Sequence, residues 1–171
     1  ITMQPVTPAL LALLCTAGAA LAQSSPYAGQ QARPIKALSD DDQSALAQGR
    51  GMGFAKTAEL NGYPGPMHVV ELSQKLELTP EQRSASERLM NEHKARARDM
   101  GAQLIEAERA LDRLFAERRA DAAAVDMATR RVGELNATLR AEHLKTHIAQ
   151  TALLSPQQVA QWNRVSVNGR L

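Results

Sequence analysis

Between Leu78 and Phe115 the chain carries one stripe, in which Met90, His93, Ala97, Met100, Leu104, Ala107, Leu111 and Leu114 recur at alternating spacings of three and four. That period puts all of them on a single seam of an α-helix, and so narrow a seam on so long a run predicts packing against one antiparallel partner helix. The run opens Leu78-Thr79-Pro80-Glu81-Gln82. Thr79 can cap the first free backbone N–H groups, Pro80 suits the first helical position, and Gln82 stands where a capping box needs it. The partner follows directly: Asp121 is placed to cap a second long helix, on which Val125, Ala128, Val132, Leu135 and Leu139 continue the three-four spacing. Leu154-Ser155-Pro156-Gln157-Gln158 then repeats the opening motif with Ser for Thr, ahead of a last helix faced by Val159, Trp162 and Val165.

Upstream of the hairpin the signals are shorter. Ser39 followed by Asp40, Asp41 and Asp42 marks a helix N-terminus, since carboxylates favour the positive end of the helix dipole. The spacing predicts a helix from Asp40 to Leu60, weakened by Gly49, Gly51 and Gly53, each costing about 1 kcal/mol relative to Ala. These glycines do not form a phosphate loop, because no strand precedes them and the Lys-Ser/Thr ending is absent. Asn61-Gly62 supplies a stop, Tyr63-Pro64-Gly65-Pro66 a rigid turn, and Met67 to Leu76 a short helix with Val69, Val70, Leu72 and Leu76 on its apolar side. The expected fold is therefore all-α: a long antiparallel helical hairpin with short flanking helices, paired into a cradle-like dimer. One chain looks too thin to cover both sides of Leu104, Leu111, Leu114, Phe115, Val132 and Leu139, so a C2 homodimer is expected to bury at least ~1,000 Å².

Composition narrows the function. A formal charge of +2, with one Trp, two Tyr and two Phe and no basic run interleaved with aromatics, gives nucleic-acid binding no support. Leu10 to Ala20 is an apolar run followed by Ala20-Leu21-Ala22, the small-x-small pattern of a cleaved secretory signal. It is shorter than the ~20 residues of a membrane-spanning helix, so no permanent anchor is expected. The expected organisation is a signal peptide at 1–22, a flexible polar leader at 23–38, a helical domain at 39–166 and a tail at 167–171, with export to the periplasm. Cys15, the only cysteine, would leave with the signal, which removes redox and Cys-ligated metal roles.

Candidate chemistry is sparse. No catalytic constellation is visible, and no enzyme is expected. His143 and His147, four apart on a helix, project from the same face and can share one divalent transition-metal ion (zinc, nickel, cobalt or copper) as neutral imidazoles. His68 or Met67 is the candidate third ligand, with Met52, Glu71 or a second chain as further sources. The other reading of the pair is a hydrogen-bonded contact across the hairpin. Leu144 follows His143, so the glutamate of a zinc-protease helix is missing, and Arg140 and Lys145 oppose a cation unless they point away. His93, alone on the long seam, reads as a packed core residue.

The paired motif, Leu78-Thr79-x-x-Gln82 and Leu154-Ser155-x-x-Gln158, in a small helical chain with an export signal, resembles the Spy/CpxP family of periplasmic proteins and its metal-responsive relatives CnrX and ZraP. On their own terms Thr79, Gln82, Ser155 and Gln158 cap helices and specify shape. The resemblance implies a curved, dimeric helical hairpin. Its leading implication for function is an ATP-independent chaperone or envelope-stress adaptor that binds unfolded envelope proteins and needs no cofactor. The alternative it implies is a heavy-metal sensor or metal-binding resistance protein, which would signal through an inner-membrane regulator.

Overall fold

The computed structural model describes residues 26–167. The expected signal peptide and the residues after 167 lie outside them. The chain divides into two compact units, one ending at Gln31 and the other beginning at Ala32. In the first, the described residues form a turn in which the Gln30 N–H donates to the Tyr27 carbonyl at 3.1 Å. The second is all-helical among the described residues: α1 (Asp40–Ala47), α2 (Lys56–Glu59), α3 (Pro66–Glu71), α4 (Pro80–Ala116), α5 (Ala122–Ala152) and α6 (Pro156–Val167).

The long helices begin where their caps are. Thr79 Oγ1 accepts from the Gln82 N–H at 3.2 Å and Gln82 Oε1 accepts from the Thr79 N–H at 3.1 Å, closing a capping box. Asp121 Oδ1 accepts from the Ala124 N–H at 2.8 Å at the start of α5. The α4 and α5 helices pack along their seams as an antiparallel hairpin, and the paired motifs meet at its open end. Gln82 Nε2 donates to Gln158 Oε1 and Gln158 Nε2 to Gln82 Oε1, both at 2.9 Å. Each glutamine thus caps its own helix and clamps the other's, a role beyond the separate caps that the sequence suggests.

Two apolar clusters hold this framework. Leu46, Ala97, Leu104, Leu135 and Leu139 form one between α1, α4 and α5; Val69, Leu72, Leu76 and Trp162 form the other, where α3 and the segment after it meet α6. The first covers part of the surface behind the dimer expectation: Leu104 and Leu139 are only 3 % and 2 % exposed within one chain, while Phe115 stays 59 % exposed. The cover comes from α1, which approaches α4 so closely that a Cβ on Gly101 would collide with the Leu46 carbonyl.

Two further expectations change. The predicted helix from Asp40 to Leu60 is broken after Ala47, because Gly49 (φ 65°), Met52 (φ 44°) and Gly53 (φ 77°) take left-handed backbone, and only the single turn α2 resumes. The predicted second helix also stops early, at Glu71 rather than Leu76. Nor is the leader free as far as residue 38: Ile35 is fully buried and the Lys36 N–H donates to Asp112 Oδ1 at 3.0 Å.

Candidate functional site

Three of the four histidines of the chain hydrogen-bond around one stretch of α5, and the fourth, His68, bonds to Glu71 within α3. His143 and His147 stand one turn apart on that helix, 4 % and 6 % exposed. His93 faces them from α4, and His68 comes from α3. The protonation of a ring follows from its partners. A carbonyl only accepts, so the 2.8 Å bond between His147 Nδ1 and the Tyr63 carbonyl puts the proton on Nδ1 and leaves Nε2 a bare lone pair. His68 differs, because it stands between two carboxylates, with Nδ1 3.3 Å from Glu71 Oε2 and Nε2 3.6 Å from Glu59 Oε1, so its contacts do not single out one protonated nitrogen.

The His93–His143 pair is ordered by a longer chain. Glu142 Oε1 accepts from Arg96 Nε at 2.8 Å and lies 3.3 Å from His93 Nδ1. The Thr146 hydroxyl donates to the Glu142 backbone carbonyl at 2.9 Å, so at 3.0 Å from His93 Nδ1 it accepts. His93 therefore carries its proton on Nδ1, and its Nε2 accepts from His143 Nδ1 at 3.0 Å. That leaves His143 Nε2 as a bare lone pair, buried and without a partner among the described residues. Phe54, from the loop after α1, lies over the His143 ring at 5.5 Å between centroids. His93 is thus no apolar core residue, because its place on the seam faces His143 and Thr146 across the hairpin.

Burial sets the electrostatics. It pushes His143 down to about 4, with the neighbouring His93 and His147 acting in the same direction. Burial also lowers His93, against the opposing pull of Glu142. Burial alone would raise Glu142, but its bonds to Arg96 and His93 outweigh that and hold it below the usual glutamate value. His143 is therefore neutral at neutral pH, the form in which an imidazole ligates metal.

A carboxylate completes the surroundings. Glu59 Oε1, at the end of α2, lies 3.6 Å from His68 Nε2 and 4.0 Å from His147 Nε2. His147 Nε2 and Glu59 Oε1 are two acceptors facing each other, an arrangement that a cation satisfies, and His68 Nε2 reaches the same carboxylate oxygen. The Tyr63-Pro64-Gly65-Pro66 turn sets it up by folding α3 back beside α2 and laying Gly65 on the His147 ring, where a Cβ would come within 2.8 Å of Cε1 and 2.9 Å of Nε2. Among the described residues no three His, Cys, Asp or Glu side chains already stand as a finished metal site. Metal–nitrogen bonds of about 2.0–2.1 Å place neighbouring tetrahedral donors about 3.3–3.5 Å apart, and the two Glu59 contacts, at 3.6 and 4.0 Å, are wider than that. The donor chemistry fits: His147 turns an Nε2 lone pair toward Glu59 while anchoring Nδ1–H on a carbonyl, and His68 brings Nε2 to the same carboxylate with Nδ1 beside Glu71.

Of the sequence candidates, the structure brings His147 and His68 to one carboxylate and places His143 one turn away, its Nδ1 bonded across the hairpin. Met67 stands 52 % exposed on the first turn of α3. Arg140 and Lys145 are both exposed. Sequence reasoning missed Glu59, and the signal that could have found it is its position opposite His68 across the proline-rich turn.

The family model described as heavy-metal resistance matches residues 64–161, a span that contains all four histidines and leaves Glu59 outside. That family falls in the Spy-, CpxP-, ZraP- and CnrX-like group of helical proteins. No curated protein and no solved structure matches the chain.

Proposed function

The chain belongs to the heavy-metal resistance family, and from that premise we propose that it binds a divalent transition-metal ion, as a metal sensor or a metal-binding resistance protein. The ligands in this reading are Nε2 of His147, His68 and His143 with the Glu59 carboxylate. The observation that carries it is the convergence of His68 and His147 on the Glu59 carboxylate, supported by the His147 and His143 rings, which anchor Nδ1–H on a protein acceptor and keep Nε2 as a lone pair. Imidazole nitrogens with one carboxylate suit zinc, nickel, cobalt and copper rather than calcium or magnesium. When bound, the ion would draw α2, α3 and α5 together through one centre. His93, Glu142 and Tyr63 would serve as outer partners that fix the ring orientations. Export to the periplasm by the 1–22 signal and assembly as a homodimer belong to the same reading.

The chaperone reading loses its lead. The family match speaks for heavy-metal resistance, and the seam residues Leu104 and Leu139 are covered within the chain.

Calorimetric titration with zinc, nickel, cobalt and copper tests the proposal, with His147→Asn as the decisive variant. The asparagine amide can keep the donation to the Tyr63 carbonyl while removing Nε2. We expect metal affinity to fall at least tenfold and the metal-free melting temperature to stay within a few degrees of wild type. If none of the four metals binds the wild type or raises its melting temperature, the metal reading is withdrawn.

A further inference from the structure

Between the end of α2 and α6 lies a cleft of about 410 Å³, lined by Glu59, Leu60, Asn61, Gly62, Trp162, Asn163 and Ser166. Its volume falls in the range of small-ligand sites. Glu59 is the one charged side chain in its lining. Its Oε1 faces His68 and His147, no hydrogen bond among the described residues engages Oε2, and the side chain is 38 % exposed. Lys56, three residues earlier on α2, forms no ion pair with it. The remaining lining combines the 76 %-exposed Leu60 and the edge of the core residue Trp162, itself only 1 % exposed, with the polar Asn61, Asn163 and Ser166. An acidic end beside an apolar wall is the complement of a cation on an apolar stem.

We propose that this cleft binds a guanidinium or primary ammonium group carried on an apolar stem, and that it shares the Glu59 carboxylate with the metal centre, so that each cation weakens the other's binding. The coupling half of this rests on the metal reading; the cleft half does not. The physical cause is charge. A metal ion on Oε1 neutralises the carboxylate and puts a second positive charge a few ångströms from the cleft, so an organic cation loses its partner and gains a repulsion. Linkage makes the effect reciprocal: the organic cation must lower metal affinity by the same factor. A protein with this arrangement releases a basic ligand when metal rises.

Trp162 is the only tryptophan and lines the cleft, so its emission reads occupancy directly. The probe is n-butylguanidine titrated into metal-free protein, with n-butylurea as the uncharged isostere. We expect a saturable change with the guanidine, none with the urea, and at least tenfold weaker guanidine binding in Glu59→Gln. Ser166→Phe, which fills the cleft without touching the carboxylate, should lose guanidine binding and keep zinc binding by calorimetry. Saturating zinc should raise the guanidine Kd at least fivefold in wild type and leave it unchanged in Glu59→Gln. A parallel titration with the blocked tripeptide Leu-Arg-Leu separates the two sources of the cation: tighter binding than butylguanidine assigns the cleft to a polypeptide partner, weaker binding to a small molecule. No saturable change in metal-free protein, or equal binding of the urea, overturns the cleft site. Zinc that binds without moving the guanidine Kd overturns the coupling, whereas zinc that fails to bind overturns the metal reading and the coupling together and leaves the metal-free titration to judge the cleft.

Discussion

Acidification should destabilise the metal-free protein well above the pH at which its carboxylates protonate, and His143 is the reason. In the fold, burial holds this imidazole near 4, whereas a free histidine titrates near 6.5. Between those values the unfolded chain binds the proton and the folded chain refuses it, so unfolding is favoured as pH falls. The contribution is fully present above about 6.5 and is lost progressively toward 4. Working the linkage for this one group from pH 7.5 to pH 5 gives a loss of about 2 kcal/mol. His93 is shifted in the same direction and adds to it, while the acidic neighbour Glu142, held below its usual value, contributes its own loss only at lower pH. Urea unfolding of metal-free protein at pH 7.5, 6 and 5 measures the slope, and His143→Gln isolates the group. The glutamine amide can still donate to His93 but cannot titrate, so the difference between the two pH extremes should shrink by about 2 kcal/mol. An identical pH dependence in wild type and variant would mean that the His143 ring is solvated or protonated in the fold, and the tautomer assignment at its Nε2 would fall with it.

Three other substitutions test separate parts of the construction. Gly101→Ala should cost about 3 kcal/mol or more in urea unfolding, because a Cβ there would meet the Leu46 backbone of α1, which cannot rotate away; a loss under 1 kcal/mol would mean that α1 is not held against α4. Gly65→Ala places a methyl within 2.8 Å of the His147 ring, so it should destabilise by about 1–3 kcal/mol and weaken zinc binding in calorimetry together, and unchanged zinc affinity would remove His147 from the ligands. The Gln82 and Gln158 amides bond reciprocally at 2.9 Å, so a double-mutant cycle with alanine at both positions should give a coupling of about 1 kcal/mol in thermal melts; strict additivity would reduce the motif to two independent caps.

Most of the fold was legible because its information is local. The three-four spacing along α4 and α5 and the caps at Thr79 and Asp121 each depend on residues within a few positions of one another, and the helices start where those caps place them. The failures are non-local. Gly49, Gly51 and Gly53 were readable as weak points, but not the left-handed backbone at Gly49, Met52 and Gly53 that turns a single expected helix into α1, a loop and α2, nor the packing of Gly49 against Lys94 and Arg98 of α4. The packing of α1 on α4 buried Leu104 and Leu139, which seemed to require a second chain.

The site divides along the same line. His143 and His147 could be found from a spacing of four on one helix. Finding the partner of His143 needed the register between α4 and α5, because His93 meets it only if the two seams are aligned to within a residue, and neither seam reports the other's phase. Glu59 was further out of reach, since its carboxylate reaches His68 and His147 only after the broken first helix and the proline-rich turn have each re-aimed the chain. The elements that sequence periodicity predicts best, α4 and α5, supply a rigid wall, and the irregular stretch from Gly49 to Pro66 lays a carboxylate, a carbonyl and a third imidazole's helix against it. An exchange in that stretch can therefore change the proposed site while leaving the hairpin intact, which makes Glu59, rather than the seam leucines or Gly65, the position where binding and stability are expected to separate.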